Sequence, residues 1–255
     1  MFKQFGAAVK AYGTAIRLIT GNNLWVYFLY PVVIGILLLI GGAALIESLS
    51  AFLKRQFLER ISLPDPLPAG VIRFLIHTGL RILFFFVYAI ILKYLILIVL
   101  SPVLAILSER TDEIITGKKY PFSFLQLMKD ALRGSFIACC NAIFQLGMVL
   151  SCFALMLIPV AGWISPLLLL LINYYFYGFS MMDYTSERYK LSAAGSMRFT
   201  RKNRGLAIGN GFIFALLFAI PFAGVIIAPI LAVVAATIVS IEAHNNNIPL
   251  TYAKN

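Results

Sequence analysis

The chain has 255 residues, of which 61% are hydrophobic and only 12% charged, with a mean hydropathy of +0.93. Soluble domains carry about 25% charged residues, and a chain of this length has too little interior to hide so much apolar surface, so lipid must solvate much of it. Twenty-one Lys and Arg against ten Asp and Glu give a net charge of +11; in a membrane chain such an excess reports anionic headgroups and positive-inside orientation, and no soluble segment is large enough to carry nucleic-acid binding.

Residues 1–20 predict an amphipathic helix. Phe2, Phe5, Val9, Tyr12, Ile16 and Ile19 recur every three or four positions, while Lys3, Lys10 and Arg17 stand seven apart on another face. That pattern suits a helix lying in the headgroup layer. The apolar run behind it is too long for the core of a cleavable signal. Residues 24–46 carry no charge and at 1.5 Å per residue reach about 34 Å, enough for a hydrocarbon core of about 30 Å. Trp25, Tyr27 and Tyr30 open this span, where interfacial aromatics belong. Residues 47–81, with Pro64, Pro66 and Pro68, read as an extramembrane loop with an amphipathic stretch on either side of the prolines. Residues 82–107 predict a second span bent by Pro102, and a segment charged in both signs follows it.

Two later stretches share a design. Ile158-Pro159-Val160-Ala161-Gly162 is followed by Pro166, and Ile220-Pro221-Phe222-Ala223-Gly224 by Pro229. Proline removes a backbone donor and glycine lets the chain reverse, so each group predicts the tip of a helical hairpin. The first hairpin covers 136–182 and the second 206–241. The two arms of the second, 206–220 and 225–241, are marginal for crossing, so it is expected to enter the bilayer without fully spanning it. Paired Pro/Gly breaks of this kind point to sites built between discontinuous membrane helices. The expected fold is a single all-α integral membrane domain over 1–255: two long transmembrane helices, two Pro/Gly-broken hairpins that either cross the bilayer or penetrate it only in part, and an N-terminal interfacial helix. With the N-terminus inside, the inner segments hold fifteen Lys and Arg against five in the outer loop, which predicts N-in, C-in topology.

Several residues stand out chemically. Lys93 lies near the centre of the second span, where a cation costs about 2.5–3.5 kcal/mol; it is either an anion-pathway residue or a structural lysine facing the bundle. Arg73, His77 and Arg81 recur every four residues as a basic stripe suited to lipid phosphate. Glu109, Arg110, Asp112 and Glu113 close the second span and Arg133 opens the next helix, as a solvated rim or as an ion-pair network. Asp183, with Glu187 and Arg188, ends the first hairpin in a similar way. Backbone amides at Gly21, Asn22 and Asn23, ahead of the first span, suit an anion. Asn141 and Gln145 suit interhelical hydrogen bonding. Cys139, Cys140 and Cys152 share one apolar run without ligand spacing, and read as small buried hydrophobes. There is no nucleophile–base pair, no phosphate-cradling glycine loop and no metal spacing, so no enzyme, cofactor or metal is expected.

In sum of its motifs the chain resembles the CysZ-type sulfate permeases of bacteria, part of a wider family that includes the eukaryotic etoposide-induced membrane proteins. The resemblance rests on Tyr30-Pro31 with Gly41-Gly42, on Ser101-Pro102 through Leu107-Ser108-Glu109 to Thr116-Gly117, on Ile158-Pro159 with Gly162, Pro166 and Asp183-Tyr184, and on Ile220-Pro221 with Pro229 and Ala235-Ala236-Thr237. It implies a bacterial inner-membrane protein that forms dimers or larger homo-oligomers and takes up sulfate or a related oxyanion for cysteine synthesis. It also implies a polar pathway through Glu109, Arg110 and Arg133, with Asp183 a family-like carboxylate. One departure is instructive: a Gly-Leu-Arg type motif expected before the first span reads Gly21-Asn22-Asn23-Leu24 here, which removes a guanidinium suited to a divalent oxyanion. The competing expectation is a non-transporting scaffold or lipid-interacting protein of the same fold.

Overall fold

Helices form every regular element among the described residues, which in this computed structural model are 1–53, 55, 69–118, 124–156, 158 and 161–245. In chain order they are α1 (Phe2–Gly21), a 3₁₀ turn (Leu24–Phe28), α2 (Leu29–Leu53), α3 (Ala69–Thr116), α4 (Phe124–Met156), a 3₁₀ turn (Ala161–Ile164), α5 (Ser165–Arg188), α6 (Ala193–Lys202), α7 (Arg204–Phe218) and α8 (Ala223–Asn245). The side chains of Arg73, His77, Lys93, Arg133 and Cys139, and the residues Pro64, Pro66, Pro68, Pro159 and Val160, lie outside the described residues.

The chain divides into two compact units. One, Tyr30–Leu100, consists of α2 and the first part of α3. Its two helices meet where the Tyr88 hydroxyl donates to the Leu38 carbonyl. Gly42 makes room for the Tyr88 ring, because a Cβ there would strike it. A tyrosine that anchors to a main-chain carbonyl satisfies its own hydroxyl in an apolar medium. The side chains of α2 remain almost wholly exposed, with 11% of the apolar window buried, as suits a helix solvated by lipid.

The other unit, Met1–Leu29 with the chain from Ser101 onward, is built around α8. Ala228, Ile230, Ala232, Val233, Val234, Ala235 and Ala236 are each fully enclosed. A helix that is apolar on every face is a buried helix, and α1, α5 and α7 all pack against this one. Small residues set the closeness of that packing. A Cβ on Gly178 of α5 would collide with the Ala207 carbonyl of α7, and one on Gly211 of α7 with the Tyr174 carbonyl of α5. In lipid, where burial of apolar area between helices gains little, such backbone approach supplies the association through dispersion contacts.

The structure differs from the sequence reading in where helices stop. α2 runs to Leu53, and α3 starts at Ala69, so both flanks of the expected 47–81 loop are helical. α3 also passes through Pro102 to Thr116, and α5 continues past Asp183 to Arg188. The charged segments expected beyond the spans are thus the final turns of long helices. A helix satisfies its own backbone in water and in lipid alike, so a change of composition alone does not end it. α3 ends where Gly117 takes φ +72° and donates to the Glu113 carbonyl at 2.8 Å, a left-handed stop that favours glycine.

α1 is helical as expected, but the face it packs is not the one its large residues mark. Ala8, Ala11, Tyr12, Ala15, Leu18 and Ile19 are buried against α7 and α8, whereas Phe2 is 92% and Ile16 51% exposed. The alanines win because Gly205 and Gly209 of α7 admit the α1 backbone: a Cβ on Gly209 would lie 2.8 Å from the Phe5 carbonyl.

The two Ile-Pro-x-Ala-Gly groups close their hairpins with the same pair of hydrogen bonds. Ile158 donates to Leu155 and Ile220 to Leu217, both at 3.1 Å; Gly162 donates to Ile158 and Gly224 to Ile220, both at 2.9 Å. Each glycine turns its missing Cβ toward a carbonyl of the preceding helix, Met156 in one and Leu217 in the other. The tips carry Trp163 and Phe222, each 89% exposed.

Candidate functional site

Several buried polar side chains of the α8 unit gather at one place, where the last turns of α3 and α5 meet α8. Ser108, Thr111 and Asp112 fall on one face of α3, three and four residues apart, while Arg110 points outward. Thr185 and Arg188 fall on one face of α5, and Thr237 interrupts the apolar surface of α8. Ser108, Thr111, Asp112 and Thr237 are fully buried and Thr185 nearly so.

Arg188 organises the cluster. Its Nε donates to Asp112 Oδ2 at 3.1 Å and its Nη1 to Ser108 Oγ at 2.7 Å. The side chains of the ion pair are 5% and 0% exposed. Ser108 Oγ lies 2.6 Å from Thr237 Oγ1, and the Thr185 hydroxyl donates to Thr237 Oγ1 at 3.4 Å. Arg188 Nη2 is buried without a protein partner, as is Ser240 Oγ on the same helix as Thr237. The arrangement combines one guanidinium nitrogen and several hydroxyls with a net charge near zero, since Asp112 balances Arg188. Arg188 also sits in the last turn of α5, where the helix dipole favours a cation.

Around the cluster, Asp183 accepts a hydrogen bond from Ser196 of α6, tying that helix to α5. The Tyr189 and His244 rings lie 4.0 Å apart, joining the chain after α5 to the end of α8. Burial, and secondarily the charge of Asp112, push the Tyr189 hydroxyl above its ordinary range, with Arg188 pulling the other way.

The residues singled out in the sequence take different positions. Asp183 is buried and accepts from Ser196. Glu109 is half-buried on α3. Arg110 is exposed and pairs with Glu113 at 2.6 Å, a surface pair of small energetic worth. Lys93 and Arg133 have side chains outside the described residues. Gly21, Asn22 and Asn23 close α1 rather than open a helix long enough to present an anion site: both the backbone and side-chain N–H of Asn22 reach the Leu18 carbonyl, and Asn23 turns the chain with φ 56° into a five-residue 3₁₀ turn. Gln145 donates to Asn173 at 2.9 Å, joining α4 to α5. Cys152 is buried and Cys140 half-buried, both as free thiols. Ser108, Thr185, Thr237 and the role of Arg188 were not singled out. The local signal was present in the one-face spacing of Ser108 with Asp112 and of Thr185 with Arg188.

Among the described residues three helical segments are long and apolar enough to cross a membrane: Leu24–Phe52, Gly162–Arg188 and Ala223–Asn245. With a buried ion pair and hydroxyls where the second of these ends beside the third, the fold and site define an all-helical membrane protein with an enclosed polar cluster. The chain belongs to the family described as Sulfate transporter CysZ/Etoposide-induced protein 2.4, whose profile matches residues 11–229. No curated protein matches the chain.

Proposed function

We propose that this protein is a membrane permease for a small oxyanion, with sulfate the leading substrate and sulfur assimilation toward cysteine its destination. Membership of a family described by its sulfate transporter supports the class of substrate. The observation that carries the reading is Arg188: a guanidinium enclosed in protein, with Nη2 unpartnered and hydroxyls about it. A tetrahedral oxyanion needs several convergent donors, and arginine with serine and threonine hydroxyls supplies them. Because Asp112 already balances the charge, the site would hold an anion weakly. Weak binding is what flux requires, since the ion must leave as readily as it enters.

In this reading the chain sits in the bacterial inner membrane with both termini cytoplasmic and works as a homo-oligomer. The two long spans are α2 and α3, and the hairpins α4–α5 and α7–α8 enter from one side. Lys93, Glu109, Arg110, Arg133 and Asp183 remain pathway candidates to vary, as does Arg188. The test is radiolabelled sulfate uptake into liposomes carrying the purified protein, compared with empty liposomes and with Ser108→Ala and Lys93→Ala. Protein-dependent uptake reduced several-fold by Ser108→Ala is expected. No uptake above empty liposomes, with the protein folded and inserted, would favour the non-transporting reading.

A further inference from the structure

From the surface at the junction of α6 and α7 we infer a docking site for anionic phospholipid headgroups, separate from the ion-pair cluster and independent of transport. Gln4 Nε2 donates to Asn203 Oδ1 at 3.2 Å, and a Cβ on Gly205 would lie 2.8 Å from Gln4 Cβ. These contacts fix the first turn of α1 on the residues between α6 and α7. Beside Gln4 stand Phe2 and Lys3, and beside Asn203 stand Arg201, Lys202 and Arg204. All four cations are exposed, and among the described residues none has a carboxylate partner. α1, α6 and α7 contain no acidic residue at all.

Phe2 is the most exposed large hydrophobic residue described, at 92%. A bare aromatic ring next to Lys3, at a junction that also carries Arg201, Lys202 and Arg204, matches the boundary between acyl chains and charged headgroups. The first turns of α1 and α7 also meet here, adding the positive ends of two helix dipoles to the side-chain charge. Inward-facing Ser196 and Thr200 bury the other side of α6, so the helix presents Arg201 and Lys202 outward. The occupant that satisfies both charge and ring is the anionic surface of the leaflet itself, with phosphates over the cations and Phe2 below them.

The test places a fluorescent reporter at the ring. In the full-length protein, Trp25→Phe and Trp163→Phe remove the native indoles and Phe2→Trp introduces one. The protein is reconstituted in mixed bilayers, and quenching by brominated phosphatidylglycerol is compared with quenching by brominated phosphatidylcholine. A cation near an anionic surface is worth about a fivefold preference, so the phosphatidylglycerol lipid is expected to quench at several-fold lower mole fraction. Adding Arg201→Gln, Lys202→Gln and Arg204→Gln, all at exposed positions, should bring the two lipids to parity while quenching persists. Equal quenching before those changes, or a preference that survives them, would overturn the proposal. Quenching by neither lipid would also overturn it, and would indicate that protein, not lipid, covers the ring.

Discussion

Replacing Arg188 with glutamine removes the guanidinium that meets Asp112 and Ser108 in the enclosed cluster. Asp112 is fully buried, so its carboxylate would stay in a low-dielectric site without the Arg188 charge. Breaking a buried pair from one side costs about 3–5 kcal/mol. At roughly 2–4 °C per kcal/mol for a chain of this size, the melting temperature should fall by about 6–20 °C. The companion Asp112→Asn leaves Arg188 as the buried charge and should cost a comparable amount. The double variant Asp112→Asn, Arg188→Gln buries two neutral amides that retain hydrogen-bonding capacity. It should therefore recover at least half of the larger single loss, so the two changes are strongly non-additive in a double-mutant cycle. The assay is thermal unfolding of all four proteins in the same detergent or nanodisc, at one pH and salt. A shift below about 4 °C for Arg188→Gln, or strictly additive losses in the double variant, would refute the reasoning. Either result would mean that water reaches the pair and screens it, as at a surface.

Two further outcomes test other parts of the fold. Gly178→Val and Gly211→Val each place a branched side chain where α5 and α7 backbones touch; each should destabilise by at least about 1–3 kcal/mol, whereas Gly13→Val, where a Cβ meets nothing, should stay within about 1 kcal/mol by the same unfolding assay. Burial in the α1 contact pushes the Tyr12 hydroxyl above its ordinary pKa of 10.0, offset in part by a backbone hydrogen bond from Phe214. The folded state therefore holds the proton more tightly than the unfolded chain, so this stabilisation is complete below about pH 10 and falls by up to about 1.4 kcal/mol per pH unit above it. Tyr12→Phe should be less stable at neutral pH, through loss of the hydrogen bond to the Asn210 carbonyl, yet lose less on going from about pH 9 to 11 than the parent; parallel curves would count against the assignment.

How much of this was legible in the sequence depended on whether the signal was local. The apolar runs, the hairpin tips and the amphipathic start of the chain each rest on residues within a few turns, and each has its counterpart in a helix or turn. The two Ile-Pro-x-Ala-Gly groups were the clearest case, since a proline and a glycine at fixed spacing dictate backbone hydrogen bonds directly. The buried cluster was only half legible. Charge at Asp112 and Arg188 was visible, but the two are 76 positions apart, and no helical period links them. Ser108 and Thr237, separated by 129 positions, look like ordinary small residues until packing brings their hydroxyls within hydrogen-bonding distance.

The hairpins show why apolar length is a poor guide to what surrounds a helix. The apolar arms of the second are marginal for crossing, yet α8 extends for 23 residues, and 78% of its apolar window is buried, against 28% for α5. Residues 167–171 of α5 are all leucine, and most of these side chains remain exposed. α8 instead reads Ala-Val-Val-Ala-Ala through 232–236, small and β-branched residues with little to offer lipid but thin enough to let α1, α5 and α7 close around them. Side-chain size, more than hydropathy, therefore separates the helix that faces lipid from the helix that other helices enclose. Thr237 and Ser240 follow that thin stretch directly, where the surrounding protein can supply the polar partners that lipid cannot.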